Sequence, residues 1–160
     1  MFPEEFTRLA GEYGDTVFRV ALNCLRDWAD AEDAAQTALL RLLQTEKDFA
    51  SDEHVKRWLI RVTVNECRKL LRSPWRRRIQ PLEEQAEAPI FPDEEHRELF
   101  EAVMALPAKY RVIIYLYYYE DYSVEEMSQA LGRKVSTIQT QLARGRGLLK
   151  KALKEEADDE

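Results

Sequence analysis

Apolar residues in the first 73 positions recur every three or four residues, the spacing of one face of an α-helix. The predicted helices are residues 4–26, residues 30–46 and a third that ends near residue 72. Asp30 is the predicted N-cap of the second helix, and Ser51 or Asp52 that of the third, because their side-chain oxygens can accept bonds from the free amides of a first turn. The positions expected to face the core are Phe6, Leu9, Tyr13, Val17, Val20 and Cys24, then Ala31, Ala35, Ala38, Leu39 and Leu42, then Val55, Leu59, Val62 and Leu70.

A stretch rich in proline and acidic residues follows these helices. Residues 74–92 hold four prolines and the acidic cluster Glu83, Glu84 and Glu87, a composition typical of a linker. The chain has 160 residues, 45% of them apolar, with five glycines and few strand-like runs. We therefore expect an all-α fold of two small helical domains, 1–73 and 93–160, joined by a flexible linker.

The second domain is expected to begin with two helices, one over residues 93–105 and one that ends near Glu120. Pro107 suits the first turn of the latter, since proline has no amide hydrogen to leave unbonded. Residues 115–119 are rich in tyrosine, which indicates packing, with some rings left exposed for docking.

Two capping signals thirteen residues apart then predict a helix-turn-helix over residues 123–154. Ser123 with Glu126, and Ser136 with Gln139, match the capping box, in which a serine hydroxyl bonds the amides that open a helix. Gly132 falls where the first short helix must stop, because glycine accepts the left-handed backbone of a helix end.

The longer helix of this motif has the polar pattern of a DNA-reading helix. Thr137, Thr140, Arg144 and Lys151 share one stripe, with short polar groups first and cations further along. From residue 133 to residue 154 there are seven basic residues and no acidic one. The alternative is a solvated amphipathic helix whose basic end is favoured by the helix dipole.

Charge is segregated elsewhere too, although the net charge is −6 and the sequence pI about 5.2. Residues 55–80 hold nine basic residues and one acidic residue, whereas residues 83–98 hold seven acidic residues and one basic residue. On the third helix, a basic stripe spans about 60° and consists of Arg57, Arg61, Arg68 and Arg72. Trp58 and Asn65 flank it, and an indole beside cations suits unpaired nucleic acid. The alternatives are an ordinary basic surface and a core role for Trp58.

Several other classes of function find no support. The chain has no apolar run of about 18 residues and no leader-like start, so we expect a cytoplasmic protein without direct membrane insertion. Cys24 and Cys67 are expected to be buried thiols, and with two histidines they form no metal-ligand cluster. A helical enzyme would have to use Asp30 and Asp33, which serve better as caps. We expect neither catalysis nor a metal or other cofactor.

Three stretches and the helix-turn-helix carry a resemblance to one family. The stretches are residues 30–43 (DAEDAAQTALLRLL), 55–69 (VKRWLIRVTVNECRK) and 105–114 (ALPAKYRVII). In this order they resemble the sigma factors of bacterial RNA polymerase, of the small two-domain extracytoplasmic-function (ECF) group. The resemblance implies that residues 1–73 bind the polymerase clamp and the minus-ten promoter element, that residues 74–92 are the linker, and that residues 93–160 bind the minus-thirty-five element.

Carried over to this chain, the resemblance assigns three sets of residues. The polymerase-binding set is Asp33, Gln36, Leu40 and Arg41. The minus-ten set is Arg57, Trp58, Arg61, Asn65, Arg68 and Arg72. The minus-thirty-five set is Ser136, Thr137, Gln139, Thr140, Gln141 and Arg144. Family members often carry lysine or arginine where this chain has Gln139 and Gln141, so two phosphate contacts are lost, although glutamine can still read adenine.

The implied partners are core RNA polymerase, promoter DNA and an anti-sigma factor, with no covalent chemistry. The alternative function is a stand-alone regulator that binds DNA through the helix-turn-helix and uses its first domain for sensing or dimerisation. Such a regulator should bind a specific duplex tightly without polymerase, but it leaves the arginine stripe of the third helix unexplained.

Overall fold

The computed structural model describes residues 1–73 and 94–158, and its secondary structure there consists of helices. Over those two ranges there are seven of them and no strand. They are α1 Pro3–Leu25, α2 Trp28–Gln44, α3 Asp52–Arg72, α4 Glu94–Met104, α5 Ala108–Tyr119, α6 Val124–Leu131 and α7 Val135–Asp158. The chain divides into two units, Met1–Gln85 and Ala86–Glu160. The predicted all-α fold of two helical domains is confirmed, whereas the predicted linker lies outside the described residues.

The first unit is a three-helix bundle in which each helix packs against the other two. Its core follows from the amphipathic pattern of each helix and includes Leu9, Tyr13, Val17, Ala35, Ala38, Leu42, Val55 and Leu59. Cys24 and Cys67 are buried thiols, as predicted. Ile60, Thr63 and Val64 are also buried on α3, so its core face is wider than the predicted four positions.

The start of α2 corrects one prediction. Asp27, and not Asp30, is the N-cap: its backbone is extended and its side chain accepts a hydrogen bond from the Asp30 amide at 2.9 Å. Asp30 already lies in the first turn, where its charge is favourable beside the positive helix end. The predicted cap of α3 is confirmed at Ser51, whose hydroxyl accepts from the His54 amide at 3.1 Å.

In the second unit α7 packs against all three other helices. Its side chains Ile138 and Leu142 are buried, and α5 and α6, against which it packs, carry buried apolar residues of their own. Gly145 permits a close approach, because a Cβ atom there would lie 3.2 Å from the Cγ1 atom of Ile114. The tyrosine run is divided between core and surface, with Tyr115 buried and Tyr118 and Tyr119 exposed.

The helix-turn-helix is present, although one of its two predicted capping boxes is absent. Ser123 and Glu126 form a complete box with both hydrogen bonds at 3.0 Å, and Gly132 adopts the left-handed conformation at φ 66°. The Ser136 box is wrong, since α7 begins at Val135 and its first backbone bond runs from the Ile138 amide to the carbonyl of residue 134. Ser136 therefore lies inside the first turn.

Two smaller expectations also need correction. Pro107 is the N-cap of α5 and not a member of its first turn, because its carbonyl accepts the first amide bonds of the helix, from Tyr110 and Arg111. The helix predicted from residue 93 is described from Glu94 to Met104, and its predicted first residue lies outside the described ranges.

Replacing Ser123 by alanine should lower the free energy of unfolding of the second unit by about 1 kcal/mol, because the Glu126 amide loses its acceptor. Ser136→Ala is the matched control, since no described residue bonds the Ser136 hydroxyl, and its effect should stay within about 0.5 kcal/mol. Urea unfolding followed by circular dichroism measures both changes. Equal losses for the two variants would contradict the assignment of the cap.

Candidate polymerase and nucleic-acid interfaces

The outer face of α2 presents an apolar residue between polar ones. Asp33, Gln36 and Leu40 are exposed, and on a helix they lie within about 60° of each other. Leu40 is 51% exposed, although the rest of the apolar side of α2 is largely buried, and Leu43 adds a second exposed leucine at 37%. Leu40 and Leu43, three residues apart on one helix, form a small exposed apolar patch bordered by polar groups, which suits contact with another protein.

Arg41 lies on the flank of this face and is turned toward α3. Its guanidinium contacts the Glu66 carboxylate at 2.6 Å, and Lys69 reaches the same oxygen at 3.2 Å. The side chain of Glu66 is only 13% exposed, so this carboxylate is partly desolvated and well paired. The structure thus brings together three of the four predicted polymerase-binding residues and gives Arg41 an intramolecular partner.

The arginine stripe of α3 remains available for an anion. Arg61 and Arg72 are exposed, and Arg57 and Arg68 are half-buried. Within the described ranges none of the four forms an ion pair, and Arg72 Nε donates a hydrogen bond to the Arg68 carbonyl at 3.2 Å. Four cations on one helix face repel each other unless a polyanion approaches.

Trp58 lies at the edge of this stripe, partly in the core and partly at the surface. It is half-buried and packs against the core cluster of the first unit. Its ring also meets Phe49 edge to face, with the centroids 5.5 Å apart. Asn65, about 20° from Trp58 on the same side of the stripe, is exposed. The indole thus packs against the core and Phe49 on one side and still reaches the surface.

On α7 most of the predicted DNA-reading side chains are exposed. They are Ser136, Thr137, Gln139, Thr140 and Arg144. Gln141 differs, because it is half-buried and its Oε1 atom accepts a hydrogen bond from Arg133 at 2.9 Å. Gln139 and Gln141 are two positions apart, which corresponds to about 200° around a helix. Their side chains therefore point to opposite flanks of α7. Gln139 is free to meet a ligand, whereas Gln141 braces the turn of the motif.

The structure also shows functional candidates outside the predicted sets. Arg146 lies over the ring of Tyr117 at 4.6 Å, and its Nε donates to the Tyr118 hydroxyl at 2.8 Å. That hydrogen bond raises the pKa of Arg146 and holds its charge at a fixed place on the surface of the second unit. Phe49 and His54, before and at the start of α3, form a second aromatic contact at 5.2 Å. Spacing alone gave no signal for these contacts, which depend on how helices and loops meet.

Comparison with known proteins agrees with this geometry. Residues 9–77 match the model of Sigma-70 region 2, and residues 96–149 match that of Sigma-70, region 4. The RNA polymerase sigma factor SigV of Bacillus subtilis is 28% identical over 142 residues, which cover 87% of this chain and 85% of SigV. The ECF RNA polymerase sigma factor SigE of Mycolicibacterium smegmatis is 29% identical, and the match covers 89% of this chain but 59% of SigE.

A solved structure shares the fold. It is the sigma factor RpoE of Bartonella quintana, crystallised with the anti-sigma factor NepR, with a TM-score of 0.74 at 22% identity over 94% of this chain and 98% of that one. Over residues 1–73 and 94–158 no helix has the length and apolar character that a membrane span requires. Two sigma-70 regions in their usual order, each on its own helical unit, show that the chain belongs to the sigma-70 family of bacterial RNA polymerase sigma factors, and its similarity to relatives named as ECF sigma factors supports the ECF group.

Proposed function

We propose that this chain binds core RNA polymerase and directs promoter recognition, strand opening and transcription initiation. The observation that carries the proposal is the division of the first unit into two faces. An exposed leucine face on α2 suits a protein, and an arginine face on α3 without a described ion-pair partner suits a nucleic acid. A sigma factor needs both at once, because it must hold polymerase and DNA together.

The residue assignments follow from these faces. On α2, Asp33, Gln36 and Leu40 bind the polymerase clamp, and Arg41 contributes through its pairing with Glu66. On α3 the predicted minus-ten set contains two kinds of residue, with different roles. The four arginines hold phosphates, which carry no sequence information, whereas Trp58 and Asn65 engage bases.

The second unit reads duplex DNA through α7. Recognition helices place their N-terminal side chains against base edges in the major groove, and the exposed residues of the first turns of α7 are short or carry an amide. Gln139 can bond adenine through both atoms of its amide. Gln141 supports the motif from inside, so the base-reading set reduces to Ser136, Thr137, Gln139 and Thr140, with Arg144 on phosphate.

We also propose an anti-sigma factor as a regulatory partner, in keeping with the fold shared with the RpoE–NepR complex. A protein that acts on RNA polymerase and chromosomal DNA must be in the cytoplasm, which is the location that we propose. Its contribution to transcription is binding, and the polymerase supplies the catalysis.

Reconstitution with core polymerase on a promoter library tests the function directly. Sequencing of the transcripts should reveal initiation from a shared pair of upstream elements, absent without the chain. Tight binding to one duplex in a gel shift without polymerase, together with no stimulated initiation, would instead favour a stand-alone regulator.

Trp58→Ala should leave polymerase binding nearly unchanged and reduce strand opening by about 5- to 150-fold, the range expected for one lost base-stacking contact. Permanganate reactivity of unpaired thymines measures the opening on a promoter selected from the library. Trp28→Ala is the matched control, because Trp28 is also half-buried in the first unit and also packs edge to face on a phenylalanine, Phe18, at 4.8 Å. Normal opening by Trp58→Ala, or loss of its fold, would show that Trp58 serves only the core.

A further inference from the structure

The loop between α2 and α3 is held by contacts that the assignments above do not use. Residues 45–51 are mostly exposed, yet Phe49 is half-buried against the core cluster of the first unit. The Ala50 amide donates to Nδ1 of His54 at 3.1 Å, and the Lys47 amide donates to the Thr45 hydroxyl at 3.2 Å. The loop therefore has a defined shape, and one side chain of α3 bonds its backbone directly.

His54 makes two distinct contacts with this loop. Its Nδ1 atom accepts a hydrogen bond from the Ala50 amide, so this ring nitrogen fixes the backbone of the loop at Ala50. Its ring also meets Phe49 edge to face at 5.2 Å, and Phe49 in turn meets Trp58 at 5.5 Å. One residue thus fixes both the backbone of the loop and the aromatic side chain that supports Trp58.

Helix capping does not explain the imidazole. The cap of α3 is the Ser51 hydroxyl, which accepts from the backbone amide of His54 and would do so whatever the side chain there. Ala50 is exposed, so its amide could bond water if the imidazole were removed. The hydrogen bond from Ala50 therefore adds little to stability and mainly selects one conformation of the loop.

We propose that His54 is a positioning residue for promoter opening, which holds the 45–51 loop and Phe49 in place so that Trp58 presents its free edge to the separating strand. The inference rests on the proposed base contact of Trp58. The loop would form the rim of that contact, with Lys47 supplying a cation 5.9 Å from the Phe49 ring. Disorder in the rim would spread the indole over several orientations and weaken stacking.

Two substitutions separate the hydrogen bond from the ring. His54→Asn keeps an acceptor, Oδ1, at the place of Nδ1 but has no ring, whereas His54→Phe keeps a ring and has no acceptor. Hydrogen exchange of the Ala50 amide, followed by nuclear magnetic resonance, reports on the loop. Permanganate reactivity on the library-selected promoter reports on opening, and core-polymerase affinity serves as the control.

His54→Phe should lose protection of the Ala50 amide and open the promoter about three- to tenfold less well, the effect of one hydrogen bond. Its polymerase affinity should not change. His54→Asn should restore protection and most of the opening, a rescue that a purely structural role of the ring would not produce. If His54→Phe does not fold, His54→Leu replaces it with the same expectation.

Normal opening by the variant that lacks the acceptor, with the Ala50 amide unprotected, would overturn the inference. Failure of His54→Asn to rescue would overturn it as well. Trp58→Ala, measured beside these variants, distinguishes a failure of the proposed role of His54 from a failure of the proposed base contact of Trp58. Should Trp58→Ala impair opening while His54→Phe does not, only the role of His54 is lost. Should Trp58→Ala open the promoter normally, the base contact and the inference fail together.

Discussion

Leu40→Asp should weaken binding of core RNA polymerase by about thirtyfold or more, the effect of removing one central contact of 2 kcal/mol. Leu40 is 51% exposed at the centre of the outer face of α2, between Asp33 and Gln36. An aspartate there removes the apolar contact and introduces a charge that would have to lose water on binding. The variant should fold normally, since the replaced side chain does not contribute to the core.

Leu71→Asp is the matched control for this experiment. Leu71 is an exposed leucine of the same unit, 37% exposed on α3, and it receives the same change of charge. Affinity for core polymerase without DNA, measured by fluorescence anisotropy, should fall for the α2 variant and stay within about twofold for the control. Equal affinities for both variants and the unmodified chain would move the docking surface away from α2.

Replacing Arg57, Arg61, Arg68 and Arg72 together by alanine should make binding to single-stranded DNA much less dependent on salt. Each phosphate contact on a single strand contributes about 0.7 to the slope of log affinity against log salt, so the loss of four should reduce the slope by about 3. Affinity should fall steeply at low salt and much less at high salt. The polymerase complex is titrated with a single-stranded oligonucleotide from 50 to 200 mM salt, the range over which such contacts weaken strongly.

A pair of single variants controls for the change in net charge. Arg61 and Arg19 are both exposed arginines on helices of the first unit, and each substitution by alanine removes one positive charge. The slope should fall by about 0.7 for Arg61→Ala and not at all for Arg19→Ala. An equal change for both would indicate that the whole surface, and not the α3 stripe, attracts the DNA.

Most of the fold could be predicted because periodicity reports directly on burial. The three helices of the first unit and the helix-turn-helix were found within a few residues of their ends from apolar spacing. The errors concern caps, where several residues compete for one position. Asp27 took the place predicted for Asp30, and α7 began one residue before Ser136. Which oxygen reaches a free amide is decided by how the chain enters the helix, and spacing does not record that.

The exposure of the candidate site residues could be predicted where they share one helix face. The α3 stripe and the exposed side chains of α7 needed only the angle per residue and the charge pattern. Arg41 and Gln141 were different, since each is engaged by a residue that periodicity does not connect to it, Glu66 and Arg133. The same holds for His54, whose bond to Ala50 depends on the path of a loop.

The two buried thiols can serve as intrinsic probes of the unfolding of the first unit. Cys24 and Cys67 are the only cysteines of the chain, and both lie within the three-helix bundle, so a thiol reagent reaches them only when that bundle opens. The rate of labelling of the unaltered protein then measures the free energy of opening of this unit alone, while the second unit stays silent. Core polymerase or an inhibitor that binds the folded bundle would lower the rate of thiol labelling by mass action. The size of that decrease would report the affinity of the partner without any attached probe.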